Sequence, residues 1–158
     1  MEAIVRRSAG LLDIKIDSDA TALLAKSSRG TPRVANRLLR RIRDFAQFEG
    51  SAVITLAVVR DSLQRLEIDS LGLEKQDRDI LKMIVERYHG GPVGAETLAI
   101  SVGESVETLE DYYEPYLIQA GLLQRSPRGR MVTSFAYGHL GIAPNAGAGH
   151  SDASLFNQ

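Results

Sequence analysis

Arg33, Arg125, Arg128 and Arg130 are the residues whose settings in the chain could do chemistry, and in each case that chemistry is the capture of phosphate. Arg33 follows Gly30-Thr31-Pro32. Gly30 can end a preceding helix in a left-handed conformation, where other residues meet a steric cost. Thr31 is a good N-cap, and Pro32 suits the first helical position, where its missing N–H would be unpaired anyway. Arg33 then leaves the first turn beside unpaired backbone N–H groups and the positive end of the helix dipole, a setting that attracts anions, phosphate above all. The arginine gains nothing from that dipole, so an anionic ligand is its natural partner. A solvated arginine on a capped surface helix is the plainer alternative.

The other three arginines fall in a hairpin. Leu122-Leu123-Gln124-Arg125 leads to Ser126-Pro127-Arg128-Gly129 and then to Arg130-Met131-Val132-Thr133. Ser, Pro and Gly occupy the first, second and fourth positions that a type I turn favours. A four-residue turn sets Arg125 opposite Arg130, with Arg128 at the tip. Like charges so placed repel, by some tenths of a kcal/mol up to about 1 kcal/mol. A hairpin bearing that cost is expected to meet a polyanion that offsets it; an exposed basic hairpin without a ligand is the alternative.

The elements that must position these side chains are mostly helical. Residues 2–12 form a short amphipathic helix that begins so abruptly that the chain is expected to start partway through a larger protein. Asp17 or Ser18 opens a second helix through Ser27. The third runs from Pro32 to about Phe48, with Val34, Ala35, Leu38, Ile42, Phe45 and Ala46 on one face at helical spacing. Val53-Ile54 is briefly extended. Thr55 caps a fourth helix to about Leu66, burying Val58, Val59, Leu63 and Leu66. Four short helices joined by tight turns make a small bundle over residues 1–68.

Residues 69–72 read as a linker, and residues 73–141 as a second unit. Its first helix, 74–88, turns Ile80, Leu81, Ile84, Val85 and Tyr88 inward and stops at His89-Gly90-Gly91-Pro92. A short helix 94–101 and a turn at Gly103 follow. The next helix begins near Glu104 or Ser105 and is expected to bury Leu109, Tyr112, Tyr113, Tyr116 and Leu117, with Pro115 kinking or splitting it. Helix-turn-helix plus hairpin is a winged helix. In many such proteins the third helix enters the major groove. Here its outward face is read as Glu107, Glu110, Asp111 and Glu114, which oppose phosphates, so the helix is not expected to read bases. Contact through the wing alone favours backbone binding that is salt-sensitive and indifferent to sequence.

Composition is that of a globular protein: of 158 residues, 44% are hydrophobic and 25% charged, and the net charge of −1 says nothing until the charges are placed. Residues 1–49 carry ten Lys/Arg against six Asp/Glu, whereas residues 104–114 hold five acids and no base. That segregation suggests surfaces with different tasks. Cysteine is absent, so disulfides and thiolate metal sites are excluded and a reducing, cytoplasmic location is comfortable. No apolar run approaches the roughly 18 residues of a membrane span, and the N-terminus lacks a signal-peptide core. His89, His139 and His150 are scattered without ligand spacing, so no metal is expected. The tail beyond residue 141, rich in Gly, Ala, Ser and Asn, is read as disordered.

Four blocks of the chain resemble one family. Gly30-Thr31-Pro32-Arg33-Val34-Ala35-Asn36-Arg37-Leu38-Leu39-Arg40-Arg41 is similar to the sensor-2 helix of RuvB, the bacterial Holliday-junction branch-migration motors. Gly90-Gly91-Pro92-Val93-Gly94, Glu114-Pro115-Tyr116-Leu117-Ile118-Gln119 and Leu123-Gln124-Arg125-Ser126-Pro127-Arg128-Gly129-Arg130 resemble that family's C-terminal winged helix. The resemblance runs from about residue 2 to Gly141. It implies a mainly α chain, an AAA+ lid bundle followed by a winged-helix domain, from an ATP-driven helicase of DNA recombination and repair. The whole motor would be a homohexamer using ATP or ADP with magnesium on duplex DNA at Holliday junctions, with RuvA and RuvC as partners. By position, Arg33 would contact the nucleotide's terminal phosphates and Pro32 would line its site, while Arg125 and Arg130 would hold DNA phosphates with Arg128 helping.

No Gly-x-x-x-x-Gly-Lys-Ser/Thr occurs, so this chain alone is expected to be inactive on ATP and to bind nucleotide without tightness. The resemblance implies ring contacts that depend largely on other domains, so this chain alone is expected to be monomeric. Val106 departs from the family pattern, where many members have an arginine that also approaches DNA. A winged-helix transcription regulator would account for residues 73–141 but not for the Gly-Thr-Pro-Arg helix. A pure protein-interaction module is the other reading, with the tyrosine-bearing helix as its docking face.

Overall fold

The computed structural model describes residues 1–144; the tail read as disordered lies outside them from residue 145 on. The chain divides into two compact units, Met1–Lys75 and the part from Gln76 onward.

The first unit is built on the long apolar face of its third helix. Helices α1 (Glu2–Leu11), α2 (Ser18–Ser27), α3 (Pro32–Phe48) and α4 (Leu56–Arg65) enclose one core. Val5 and Ala9 of α1, Leu24 of α2, Leu38, Leu39 and Ile42 of α3, and Val59 and Leu63 of α4 are its buried members. Val34, Val58 and Leu66 pack partly buried at its edge, so the expected faces of α3 and α4 stand. Phe45 is half-buried, with the guanidinium of Arg41 at 5.9 Å from its ring centre and that of Arg65 at 5.7 Å. Phe48, one turn on, is exposed.

Two features of this unit go beyond the helical reading. Lys15–Ile16 (β1) pairs in parallel with Val53–Ile54 (β2), and the Asp17 N–H donates to the Ile54 carbonyl at 3.0 Å. The alternation Ile14-Lys15-Ile16 is too short to signal a strand without its partner. The turn from α2 into α3 is also left-handed at two residues rather than one, with φ of 60° at Arg29 and 69° at Gly30. Arg29 is buried there.

In the second unit, α5 (Lys75–Tyr88) buries Ile80, Leu81, Ile84 and Val85. Its Tyr88 hydroxyl lies 2.6 Å from the Ser101 hydroxyl of α6 (Ala95–Val102). Gly103, at φ 73°, ends α6 in the left-handed conformation, and the Ser105 hydroxyl accepts from the Thr108 N–H at 3.0 Å to open the next helix. That helix is three joined pieces: α7 (Val106–Thr108), a π-helical turn (Leu109–Tyr113) and α8 (Glu114–Gln119). Pro115 stands at the start of α8. The wider turn just before it leaves room for a ring that a regular helix would crowd.

The π turn corrects the expected burial. From Leu109, regular helical spacing brings Tyr112 and Tyr113 inward, but a wide turn brings the residue five positions on. That residue is Glu114, which is fully buried with Leu109 and Leu117. Tyr112 is exposed instead, and Tyr113 and Tyr116 are half-buried.

The hairpin follows as β3 (Leu123–Ser126) and β4 (Gly129–Val132), antiparallel with Arg125 opposite Arg130. The Ser126 hydroxyl donates to the Gly129 carbonyl across the tip at 3.0 Å. On its other edge β4 meets the chain before α6. Val93 and Arg130 exchange both backbone hydrogen bonds, at 3.0 and 2.8 Å. Gly91 permits this approach, because at its φ of 97° a Cβ would lie 2.3 Å from the Arg130 carbonyl oxygen. The chain ends its described part in a further short helix, α9 (Ser134–Leu140), capped by Thr133 and burying Ala136 and Tyr137. Tyr137 is a core residue.

Candidate nucleic-acid interface and anion-binding helix start

The start of α3 forms as its residue types require. The Thr31 hydroxyl accepts from the Val34 N–H at 3.3 Å, and Pro32 occupies the first turn. Pro32 and Arg33 are both exposed. Arg33, Asn36, Arg37, Arg40 and Arg41 line a shallow groove of about 570 Å³ along the helix. Asn36 is held in place by the Ser8 hydroxyl, which donates to its Oδ1 at 2.6 Å. Arg37 is paired with Glu74 at 2.6 Å. Neither Arg33 nor Arg40 has an ion pair among the described residues. An exposed arginine beside a capped helix start, with further guanidinium groups along one wall, suits a phosphate-bearing ligand.

The hairpin arginines are placed differently. Arg125 and Arg130 do meet across the strands, but the carboxylate of Glu114 lies between them. Oε1 of Glu114 accepts from Arg130 Nε at 2.7 Å, and Oε2 accepts from Arg125 Nε at 2.8 Å. A second Arg125 nitrogen, Nη2, also donates to Oε2. Arg130 Nη2 reaches Glu110 Oε1 at 2.9 Å. The hydrogen bond to Glu114 holds the Arg130 guanidinium above its ordinary pKa against the opposing effect of burial, and the charges of Glu114 and Glu110 add to it. Glu114 side-chain exposure is 0%, that of Arg130 15% and that of Arg125 47%.

Two expectations are corrected here. Glu114 is not on the outward face of the third helix; the π turn carries it inside. The repulsion between Arg125 and Arg130 needs no external polyanion to offset it, because a buried carboxylate of the same chain does so. Glu107 and Asp111 are exposed and Glu110 is half-buried, so the rest of the acidic face stands as read. Arg128 is apart from the network, exposed at the tip, its N–H donating to the Ser126 hydroxyl at 3.3 Å. Val106 is half-buried at the first position after the Ser105 cap. Glu114 was missed as a site residue because nothing in its local spacing separates it from Glu107, Glu110 and Asp111. Pro115 directly after it was the one available signal of an irregular turn.

A helical bundle carrying an arginine on the capped start of its third helix, and a helix-turn-helix unit with a hairpin, define an AAA+ lid and a winged helix. Comparison with known proteins agrees with both halves. Residues 1–69 match the RuvB AAA lid domain, and residues 70–141 match the RuvB C-terminal winged helix domain. The Holliday junction branch migration complex subunit RuvB of Treponema pallidum is 66% identical over 142 residues, covering 90% of this chain and 41% of that protein. The corresponding subunit of Oleidesulfovibrio alaskensis is 49% identical over 142 residues, covering 90% of this chain and 44% of that protein. Among solved structures, the Thermotoga maritima RuvB Holliday junction branch migration motor matches with a TM-score of 0.87 at 47% identity, over 90% of this chain and 48% of that one. The chain belongs to the RuvB family. It spans less than half the length of these relatives. Family membership through both halves sets aside the transcription-regulator reading, which accounted for the second half alone.

Proposed function

We propose that this chain is the lid and DNA-gripping part of an ATP-driven branch-migration motor acting on the duplex arms of Holliday junctions in the cytoplasm. In the complete protein it would work within a homohexamer, with RuvA and RuvC as partners. The observation that carries the reading is the division of charge in the winged unit. Basic side chains are carried by the hairpin, while Glu107 and Asp111 are exposed on the helix that would otherwise enter a groove. Such a surface grips phosphates and rejects base contact, as a motor that must move along any sequence requires. Arg125 and Arg128 would form the gripping edge of the wing, with Arg130 behind them.

In the lid, Arg33 would hold the terminal phosphates of a nucleotide by charge-assisted hydrogen bonds, with Pro32 lining the site. ATP with magnesium supplies the driving energy when bound in the complete protein. This chain's own contribution is to present Arg33 on a bundle stiff enough to move as a body.

The decisive measurement is a salt titration of binding to two unrelated duplexes and a four-way junction. Weak and equal binding to the duplexes, falling steeply with salt, is the expected result. Strong preference for one duplex would overturn backbone gripping, and absence of binding at low salt would favour a protein-interaction module. For the lid, Arg33→Ala in the full-length protein should abolish ATP-driven branch migration with the fold intact; normal turnover would rule the role out.

A further inference from the structure

An acidic residue beside a DNA-binding surface ordinarily weakens binding, since it repels phosphate, most strongly at low salt. Glu114 is placed to do the opposite. Its carboxylate is fully buried and carries no exposed edge toward a ligand. Oε2 is engaged side-on by Arg125 through Nε and Nη2, which fixes the plane of that guanidinium. The Arg125 side chain nevertheless keeps 47% of its surface exposed. Arg130 is committed on the other side, with Nε on Glu114, Nη2 on Glu110 and 15% of its side chain exposed. Its backbone is fastened as well, by paired hydrogen bonds to Val93. The two arginines therefore do different things despite facing each other across one hairpin.

We propose that Glu114 is a positioning residue for DNA contact: it turns Arg125 outward as a phosphate-binding fork, and the partly buried Arg130 is the strut that holds the carboxylate in place. This rests on the reading of the wing as the DNA-gripping surface. The planar guanidinium suits the task because one edge can bind the carboxylate while the other donors remain for a phosphate. A freely rotating arginine would lose side-chain freedom at each contact, and Glu114 removes that loss in advance.

The sign of one substitution tests this. Glu114→Gln in the 158-residue chain keeps the side chain's size and makes the protein more positive by one charge. Charge alone then predicts tighter binding to duplex DNA. Positioning predicts weaker binding, by about tenfold, which is the worth of one charge-assisted hydrogen bond. The slope of log affinity against log salt should also shrink by about 0.9, as one phosphate contact is lost. Equal or tighter binding with an unchanged or steeper slope would overturn the proposal.

Because a buried amide in place of the carboxylate can loosen the hairpin, Arg125→Lys provides a second route. Lysine keeps the charge at a half-exposed position but has no second edge to offer. The same loss of affinity is expected with the hairpin still formed, as amide chemical shifts over Leu123–Val132 would show, and wild-type affinity would overturn the proposal. If the unaltered chain fails to bind any duplex at low salt, the gripping role itself falls and the inference with it. Wild-type binding with undiminished variants removes the inference alone.

Discussion

Arginines in the lid bundle and arginines in the wing, both proposed to meet phosphate, stand in opposite physical situations. Arg33 stands on a regular helix, exposed, with no ion pair among the described residues, and its setting is made by four consecutive residues. Arg125 and Arg130 are held by a carboxylate distant from both in sequence and carried inside by an irregular turn. In the lid the setting of the arginine is created by local backbone rules, so the proposed anion site would leave the arginine dispensable to the fold. In the wing the same residue type is part of the fold. Substitutions should therefore separate stability from binding in the first unit and couple them in the second.

The largest expected effect belongs to the scaffold. Leu39 is fully buried in the lid core, and Leu39→Ala should destabilise the lid by about 3 kcal/mol through lost burial and the cavity left behind. Amide hydrogen exchange along α3 would read this directly. An effect below the range for buried leucines would mean that the bundle collapses around the gap, and the lid arginines would then sit on a softer support than described.

Next comes the wing network. Glu114→Ala leaves two guanidinium groups facing each other without their shared carboxylate, a change that costs about 3 kcal/mol where both partners are buried. Arg125 is half in solvent and can relax outward, so about 2 kcal/mol is expected for the winged unit, measured by chemical denaturation. A neutral result would break the comparison, because it would make the wing arginines as dispensable to the fold as Arg33. Gly91→Ala addresses the same frame from the backbone side. At φ 97°, with the Arg130 carbonyl oxygen 2.3 Å from the added Cβ, it should cost about 2 kcal/mol. Exchange of the Val93 and Arg130 amides should rise with it.

This contrast also explains what could be read in the chain beforehand. The helix starts were legible because their caps are local: Thr31, Thr55 and Ser105 each accept a backbone N–H three residues on. The hairpin and its Arg125–Arg130 register were legible because Ser126-Pro127-Arg128-Gly129 specifies the turn. The inward Glu114 was not, since a π turn is settled by what packs around it and not by the residues that make it. Lys15–Ile16 escaped for a related reason, its strand partner lying at Val53–Ile54. Thus the lid arginine came out of the sequence complete with its setting, whereas the wing arginines came out without the residue that organises them.

The smallest effects carry the sharpest form of the comparison. Thr31→Ala removes one capping hydrogen bond and should destabilise the lid by about 1 kcal/mol. Arg33→Ala, two residues on, should leave the melting temperature unchanged, because the side chain touches nothing that the fold requires. Both should weaken the binding of an inorganic polyphosphate, followed by amide chemical shifts at the start of α3. The cap variant should act by fraying the first turn, and the arginine variant by removing the charge alone. Arg130→Ala in the wing is the counterpart, and it should lower stability and duplex binding together, since the strut and the fork share one carboxylate. If Arg33→Ala instead destabilised the lid, its guanidinium would have to be held by a partner in solution. The anion site would then be built like the wing, by tertiary contact and not by the helix start.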